Sequence, residues 1–351
     1  MKKRFVIILA LVIINIGLII TGIYFGGNAK SISINDVTEY LINGTTGDDT
    51  KDSIIGNVRL PPILTAIFVG IGLSLCGLML QTLFRNFLAS PYTTGMTSGV
   101  LLFAAFTIFL EGFSNIFSSF NNELLVAGWI GGLVSIILLI IIASIVKDVN
   151  DIIIVSLLMS YLLGGVRSYL IANAEGHSIM NYYFFTLGSL MGVRPENILL
   201  IASCTMVFLT AAILLIKPLN ALLFGEQYAK SFGLNIKQIR LLILVSTGFI
   251  VGSIIPFVGM ITFVGVIAPF MARPLIKTSD HKWLMPTTLL AGVFLMLSCH
   301  IISIKYTLPF NYLLGLNRPP IMLPIGSILS IVGGVLVVYL VVSREKVKLT
   351  N

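Results

Sequence analysis

The sequence predicts an all-α polytopic membrane protein of about ten transmembrane helices, with both termini on the cytoplasmic side. Three observations carry that expectation. Hydrophobic residues fill 57% of the 351 positions and charged residues only 10%, whereas a soluble domain carries about a quarter charged. The apolar residues fall in long unbroken runs rather than alternating ten-residue segments, which selects helices over a β-barrel. The remaining charges are divided unequally between alternate connections.

A helix needs about 20 apolar residues to cross the hydrocarbon core. Ten runs qualify, at roughly 5–25, 61–83, 95–111, 124–146, 152–172, 196–216, 239–257, 262–276, 284–304 and 323–342. The first follows Lys2, Lys3 and Arg4, as the core of a secretory signal peptide would. Its length and the lack of a small-x-small cleavage site favour a retained span. Residues 26–60 then form a polar external loop, with a short helix expected around Asn35–Asn43, capped by Ser33 or Asn35.

The second span carries Gly70, Gly72 and Gly77, and a cytoplasmic hairpin from Gln81 to Gly99 follows it. In that hairpin Pro91 ends helical structure, Gly95 and Gly99 permit tight turns, and Thr93, Thr94, Thr97 and Ser98 can satisfy backbone groups at an irregular helix start. Arg85 serves there as a positive-inside anchor. Gly128-xxx-Gly132 and Gly248-xxx-Gly252 place small residues on helix faces. Such faces serve close packing within the chain, a pathway lining or a dimer seam.

Arg167, toward the outer end of the fifth span, either snorkels to the interface or faces an anionic cargo. Residues 173–195 form a second external segment with a short surface helix. Residues 217–240 are amphipathic and cation-rich, caught on the cytoplasmic side between two apolar runs. A polar segment folded there needs something to dock on it. The eighth run is short and contains Pro269; Gly259 and Gly265 bracket a tight turn into it, and Arg273 closes it. His281 is expected in a cytoplasmic loop and His300 as a hydrogen-bonded packing residue. The stretch 305–322, rich in Pro, Asn and aromatics, completes a wide outer vestibule.

With the N-terminus inside, cytoplasmic segments hold 15 of the 22 Lys and Arg residues, and nine of the 14 acidic residues fall outside. The net charge of +8 therefore reflects topology and gives no reason to expect nucleic-acid binding. Cys76, Cys204 and Cys299 sit in apolar runs without metal or disulfide spacing, and His177, His281 and His300 are scattered, so no metal site is expected. No G-x-x-x-x-G-K-[ST] occurs, so this chain has no phosphate loop of its own. No Asp or Glu lies within a span, which removes the usual relay of a proton- or sodium-coupled transporter. No H-E-x-x-H or Ser/His/Asp arrangement suggests an enzyme.

Taken in order, several segments resemble the FecCD-type permeases of ATP-binding-cassette importers, which carry ferric siderophores, haem or cobalamin. Arg59-Leu-Pro-Pro62 resembles R-L-P-R, and Gln81 to Gly99 resembles Q-x-x-x-x-N-P-L-A-x-P-x-x-L-G-x-S-S-G. Leu187-Gly-Ser-Leu190 resembles G-S-L. Leu219 to Arg240 resembles L-x-x-L-x-x-G-E-x-A-x-x-L-G-x-x-x-x-x-x-R. Gly259 to Arg273 with Asp280-His-Lys-Trp-Leu-Met-Pro286 resembles G-x-I-x-F-V-G-L-x-x-P-H-x-x-R followed by D-H-R-x-L-x-P, and Leu323-Pro-Ile-Gly326 resembles L-P-x-G. Each motif is weak alone; six in order are specific.

The resemblance implies a single permease domain over residues 1–351 in the bacterial cytoplasmic membrane, paired with an identical or paralogous permease. A cytoplasmic ATPase dimer would bind the ATP, and an external binding protein would deliver the cargo. It implies coupling to the ATPase through 217–240, with Leu222, Gly225, Glu226, Ala229, Lys230 and Gly233 at the coupling positions. It also implies binding-protein docking at Arg59, with Arg318 or Lys305 supplying the charge missing at Pro62. Gln81, Asn86, Ser98, Gly99 and Arg167 are the expected pathway or gate residues. Phe87 stands where the family has Pro, Phe270 where it usually has His, and Met322 where it often has Glu. A ferric siderophore is the favoured cargo, then haem, with cobalamin third; an ion-coupled secondary transporter or a membrane scaffold is the rival.

Overall fold

The computed structural model describes residues 2–25, 32–117, 122–145, 149–305 and 323–349. Arg318, Met322 and most of the segment 305–322 lie outside them. Sixteen α-helices account for most of the described residues. They are α1 (Lys2–Phe25), α2 (Ile34–Asn43), α3 (Asp49–Ser53), α4 (Leu60–Leu83), α5 (Met96–Phe109), α6 (Glu111–Phe117), α7 (Glu123–Ile145) and α8 (Val149–Ala172). The second half holds α9 (Gly176–Thr186), α10 (Pro195–Leu214), α11 (Ile216–Leu223), α12 (Glu226–Ser231), α13 (Ile236–Val258), α14 (Val264–Ile276), α15 (His281–Lys305) and α16 (Ile325–Leu349).

Each of the ten expected runs coincides with a helix, but not all ten are simple spans. Seven helices among the described residues are long and apolar enough to cross a membrane. The third run bends by 103° between α5 and α6, while α14 and the described apolar part of α16 are shorter.

The loop expected to reach residue 60 is helical from Asp49 onward. A π-helical turn at Ile54–Arg59 joins α3 to α4. Its cause is local. Pro61 and Pro62 lie at the start of α4 and lack the N–H groups that would bond one turn back, so the preceding turn widens. Ser33 caps α2 as expected: its hydroxyl accepts from the Asp36 amide and Asp36 accepts from the Ser33 amide. The Lys51 ammonium and the Ser33 backbone hold the Asp36 carboxyl down at about 2.

α4 is the most enclosed of the long helices, whereas α1 and α8 leave most of their surface outward. Glycines set how closely the core helices approach. A Cβ on Gly70 would stand 2.8 Å from the Gly292 carbonyl oxygen of α15, and one on Gly128 would stand 2.4 Å from that of Gly252. One turn along, a Cβ on Gly132 would stand 2.8 Å from the Gly248 carbonyl oxygen. The two G-xxx-G pairs are therefore one antiparallel seam between α7 and α13, and among the readings left open for them the fold selects close packing within the chain. Trp129 fastens the same seam, donating to the Ser253 hydroxyl at 2.7 Å. Asn15 ties α1 to α15 by donating to the Leu290 carbonyl at 3.1 Å.

Candidate functional site

The end of the bundle that carries 217–240, hereafter the inner end, gathers most of the expected site. The segment is two short helices, α11 and α12, separated at Gly225. Leu219 and Leu222 of α11 and Ala229 of α12 are buried and fix the segment to the bundle. Between the helices Gly225 adopts φ 107° and ψ 159°, a region essentially closed to residues with a Cβ. Gly233 ends α12: its amide donates to the Lys230 carbonyl at 2.9 Å and the Leu234 amide to the Ala229 carbonyl at 3.2 Å. With Gly233 at φ 78°, this is the paired bonding of a left-handed helix stop. Asn235 then caps α13 by accepting from the Gln238 amide at 3.3 Å.

The six expected coupling residues therefore divide by task. Leu222 and Ala229 anchor, and Gly225 and Gly233 shape the backbone. Glu226 accepts from the Arg240 guanidinium at 2.5 Å, which holds α12 against α13. Lys230 remains exposed. Three exposed aromatic residues were passed over in the sequence reading: Phe224, Tyr228 and Phe232 are 69%, 63% and 69% exposed. Tyr228 and Phe232 stand four apart on α12 and its C-cap, a legible signal of a shared face, while Phe224 lies on the other side of the Gly225 break.

The hairpin after α4 meets this segment. Arg85 adopts φ 47°; its amide donates to the Thr82 carbonyl and that of Asn86 to the Gln81 carbonyl, a second left-handed stop. The Arg85 guanidinium lies 3.6 Å from where a Cβ on Gly225 would be. Asn86 accepts from the Leu88 amide at 2.9 Å, fixing the turn. Thr93 and Thr94 satisfy loop backbone as expected: Thr93 accepts from the Ser90 amide at 2.9 Å, and Thr94 donates to the Ser90 carbonyl at 2.8 Å. The Phe87 ring, in place of the family's Pro, lies 4.5 Å beneath the Arg273 guanidinium.

One expectation is corrected here, and three expected pathway or gate residues are located. His281 is not in a loop; it is the first residue of α15 and fully buried. The neighbouring Asp280 caps that helix, and its carboxyl is lowered chiefly by the Lys282 amide and also by the Asn220 side-chain amide. Gln81, expected at the pathway or gate, packs inside the bundle. It is buried between α4 and α14, where its Nε2 donates to the Gly265 carbonyl at 3.2 Å. Gly99 likewise faces α7, with the Ser135 hydroxyl where a Cβ would be, and Ser98 is half-buried beside it.

Two expected residues belong to the opposite, outer end. Arg59 does not project as a docking charge; it is 2% exposed, and Nη1 donates to the Ile23 and Tyr24 carbonyls at 2.9 and 3.0 Å. Those carbonyls close α1, where helix acceptors lack intrahelical partners and the dipole favours a cation. Arg167 is half-buried on α8 and lines a cavity of about 290 Å³ with Leu101, Tyr182 and Met260. Also at this end, the Ile325 amide donates to the Gly188 carbonyl at 3.1 Å. This joins Leu187–Leu190 to Leu323–Gly326, two motifs more than 130 positions apart.

Comparison with known proteins agrees across the chain. The FecCD transport family matches residues 9–343. A protein of Methanocaldococcus jannaschii, MJ0876, provisionally designated an ABC transporter permease protein, is 54% identical over 97% of each chain. The Fe(3+) dicitrate transport system permease protein FecC of Escherichia coli is 27% identical, over 90% of this chain and 91% of its own. Among solved structures, an inward-facing conformation of a provisionally assigned metal-chelate type ABC transporter superposes with a TM-score of 0.78 at 25% identity. That match covers 96% of this chain and 99% of the other.

Proposed function

The chain belongs to the FecCD transport family as a multi-pass ABC transporter permease, and on that premise we propose that it carries an iron chelate inward across the cell membrane. A ferric siderophore is the preferred cargo, then haem, with cobalamin third. ATP is bound and hydrolysed by a separate dimeric ATPase, an external binding protein presents the chelate, and a second permease, identical or paralogous, completes the pathway. FecC, named for ferric dicitrate transport, supports the cargo class.

The observation that carries the reading is the inner two-helix segment. Phe224, Tyr228 and Phe232 stand exposed on a base fixed by Leu219, Leu222 and Ala229, and the sequence has no G-x-x-x-x-G-K-[ST] of its own. An ATPase seated on those aromatics moves the segment when it closes on ATP, and the bundle opens alternately to each side. The outward faces of α8 and α16 are available to the second permease; α8 leaves open space beside Gly164 and Gly165.

The test is uptake into proteoliposomes holding the permease, its ATPase and the external binding protein, with radioactive ferric siderophore, haem and labelled cobalamin compared. Uptake is expected to require ATP and to survive a protonophore. Uptake that persists without the ATPase and collapses with the protonophore would make the chain a secondary transporter instead.

A further inference from the structure

The proposed function leaves one partly buried polar chain unused. Thr82, in the last turn of α4, lies 2.9 Å through Oγ1 from Nε2 of His281. Nδ1 of the same ring lies 2.7 Å from Oδ1 of Asn220 on α11, which also accepts from the His281 amide at 2.8 Å. Asn220 Nδ2 donates to Asp280 Oδ1 at 2.7 Å. That bond fixes which way the Asn220 amide points, so Oδ1 can only accept and His281 Nδ1 carries a proton. In the neutral ring Nε2 accepts from the Thr82 hydroxyl, which turns its one proton from the Leu78 carbonyl, 2.9 Å away, toward the ring, and the link from α4 to α11 is then continuous. Three helices far apart in sequence meet through one imidazole.

We propose that Thr82–His281–Asn220 is the rigid link that carries movement of the inner two-helix segment to α4 and α15, with His281 as its positioning residue. The proposal rests on the coupling role given to that segment above. Apolar contacts, such as Leu219 on the bundle, are non-directional and allow helices to slide. Hydrogen bonds near 2.8 Å weaken steeply when misaligned, so α11 cannot shift against α4 or α15 without breaking the chain or dragging them along. Burying a polar chain also costs stability unless each member is satisfied, as this one is.

Two replacements separate the halves of the link. In His281→Asn the amide nitrogen takes the place of Nδ1, so the bond to Asn220 survives and that to Thr82 is lost. In His281→Gln the amide reaches the Nε2 position, keeping Thr82 and losing Asn220. Spin labels at Gln227 on α12 and Leu88 beyond α4, in a background free of the three native cysteines, report the distance between the coupling segment and the end of α4. Reconstituted with its ATPase, the unsubstituted chain is expected to keep one narrow distance distribution with and without ATP and vanadate. Both variants are expected to gain a second population in the trapped state. They are also expected to bind the ATPase normally and to consume roughly five times more ATP per transported ferric siderophore, or worse. Distances and coupling ratios unchanged in both variants would overturn the link. If the unsubstituted chain neither binds nor stimulates the ATPase, the coupling reading itself fails, and the link with it.

Discussion

At the residue scale, charge and backbone geometry do different work in the inner segment. Glu226 and Arg240 are each partly exposed, and a surface pair of that kind is worth about 0–1 kcal/mol. Glu226→Lys is therefore expected to leave the melting temperature nearly unchanged while freeing α12 from α13 and uncoupling ATP hydrolysis from uptake. Adding Arg240→Glu restores the pair with its signs exchanged, and restored coupling in the double variant is the expected result; continued uncoupling would assign Glu226 directly to the ATPase. Arg59 calls for the opposite assay. Arg59→Gln leaves the α1 carbonyls underbonded and is expected to cost about 1–3 kcal/mol, read as a lower melting temperature in detergent, with unchanged affinity for the external binding protein. Weakened affinity at unchanged stability would return Arg59 to the docking role that its motif implies.

At the element scale, α11 and α12 owe their shape to short-range sequence and their place to long-range packing. The glycine stops and the aromatic spacing lie within a dozen residues. Replacing Phe224, Tyr228 and Phe232 together by Ser removes exposed surface only. It is expected to abolish co-purification of the ATPase while leaving thermal stability within about 0.5 kcal/mol, the usual range for surface substitutions; retained co-purification would move the docking face elsewhere. The α7–α13 seam responds the other way. Gly128→Val would place side-chain carbon against the Gly252 carbonyl and the Pro256 ring. Overpacking of this kind costs about 1–3 kcal/mol, expected as a lower melting temperature with ATPase binding intact in whatever fraction folds.

At the scale of the whole molecule, the outer and inner ends are each knotted by groups remote in sequence: Gly188 with Ile325 at one, Thr82 and Asn220 with His281 at the other. The sequence by itself determined the class of the protein, its helical runs and the family motifs. Hydrophobic length, glycine spacing and cap chemistry are local properties, and a chain this poor in charge cannot hide them. Ser33 as a cap and the two G-xxx-G stripes as packing faces were legible for that reason. Only the tertiary structure decided what those residues face. It matched the two stripes to each other, turned Arg59 inward onto the end of α1, buried Gln81 between helices, and drew His281 out of its expected loop into the core. These outcomes depend on which distant backbone carbonyl or side chain arrives within hydrogen-bonding reach. Sequence spacing carries no signal for that, because the two partners are joined only through the packing of the helices between them.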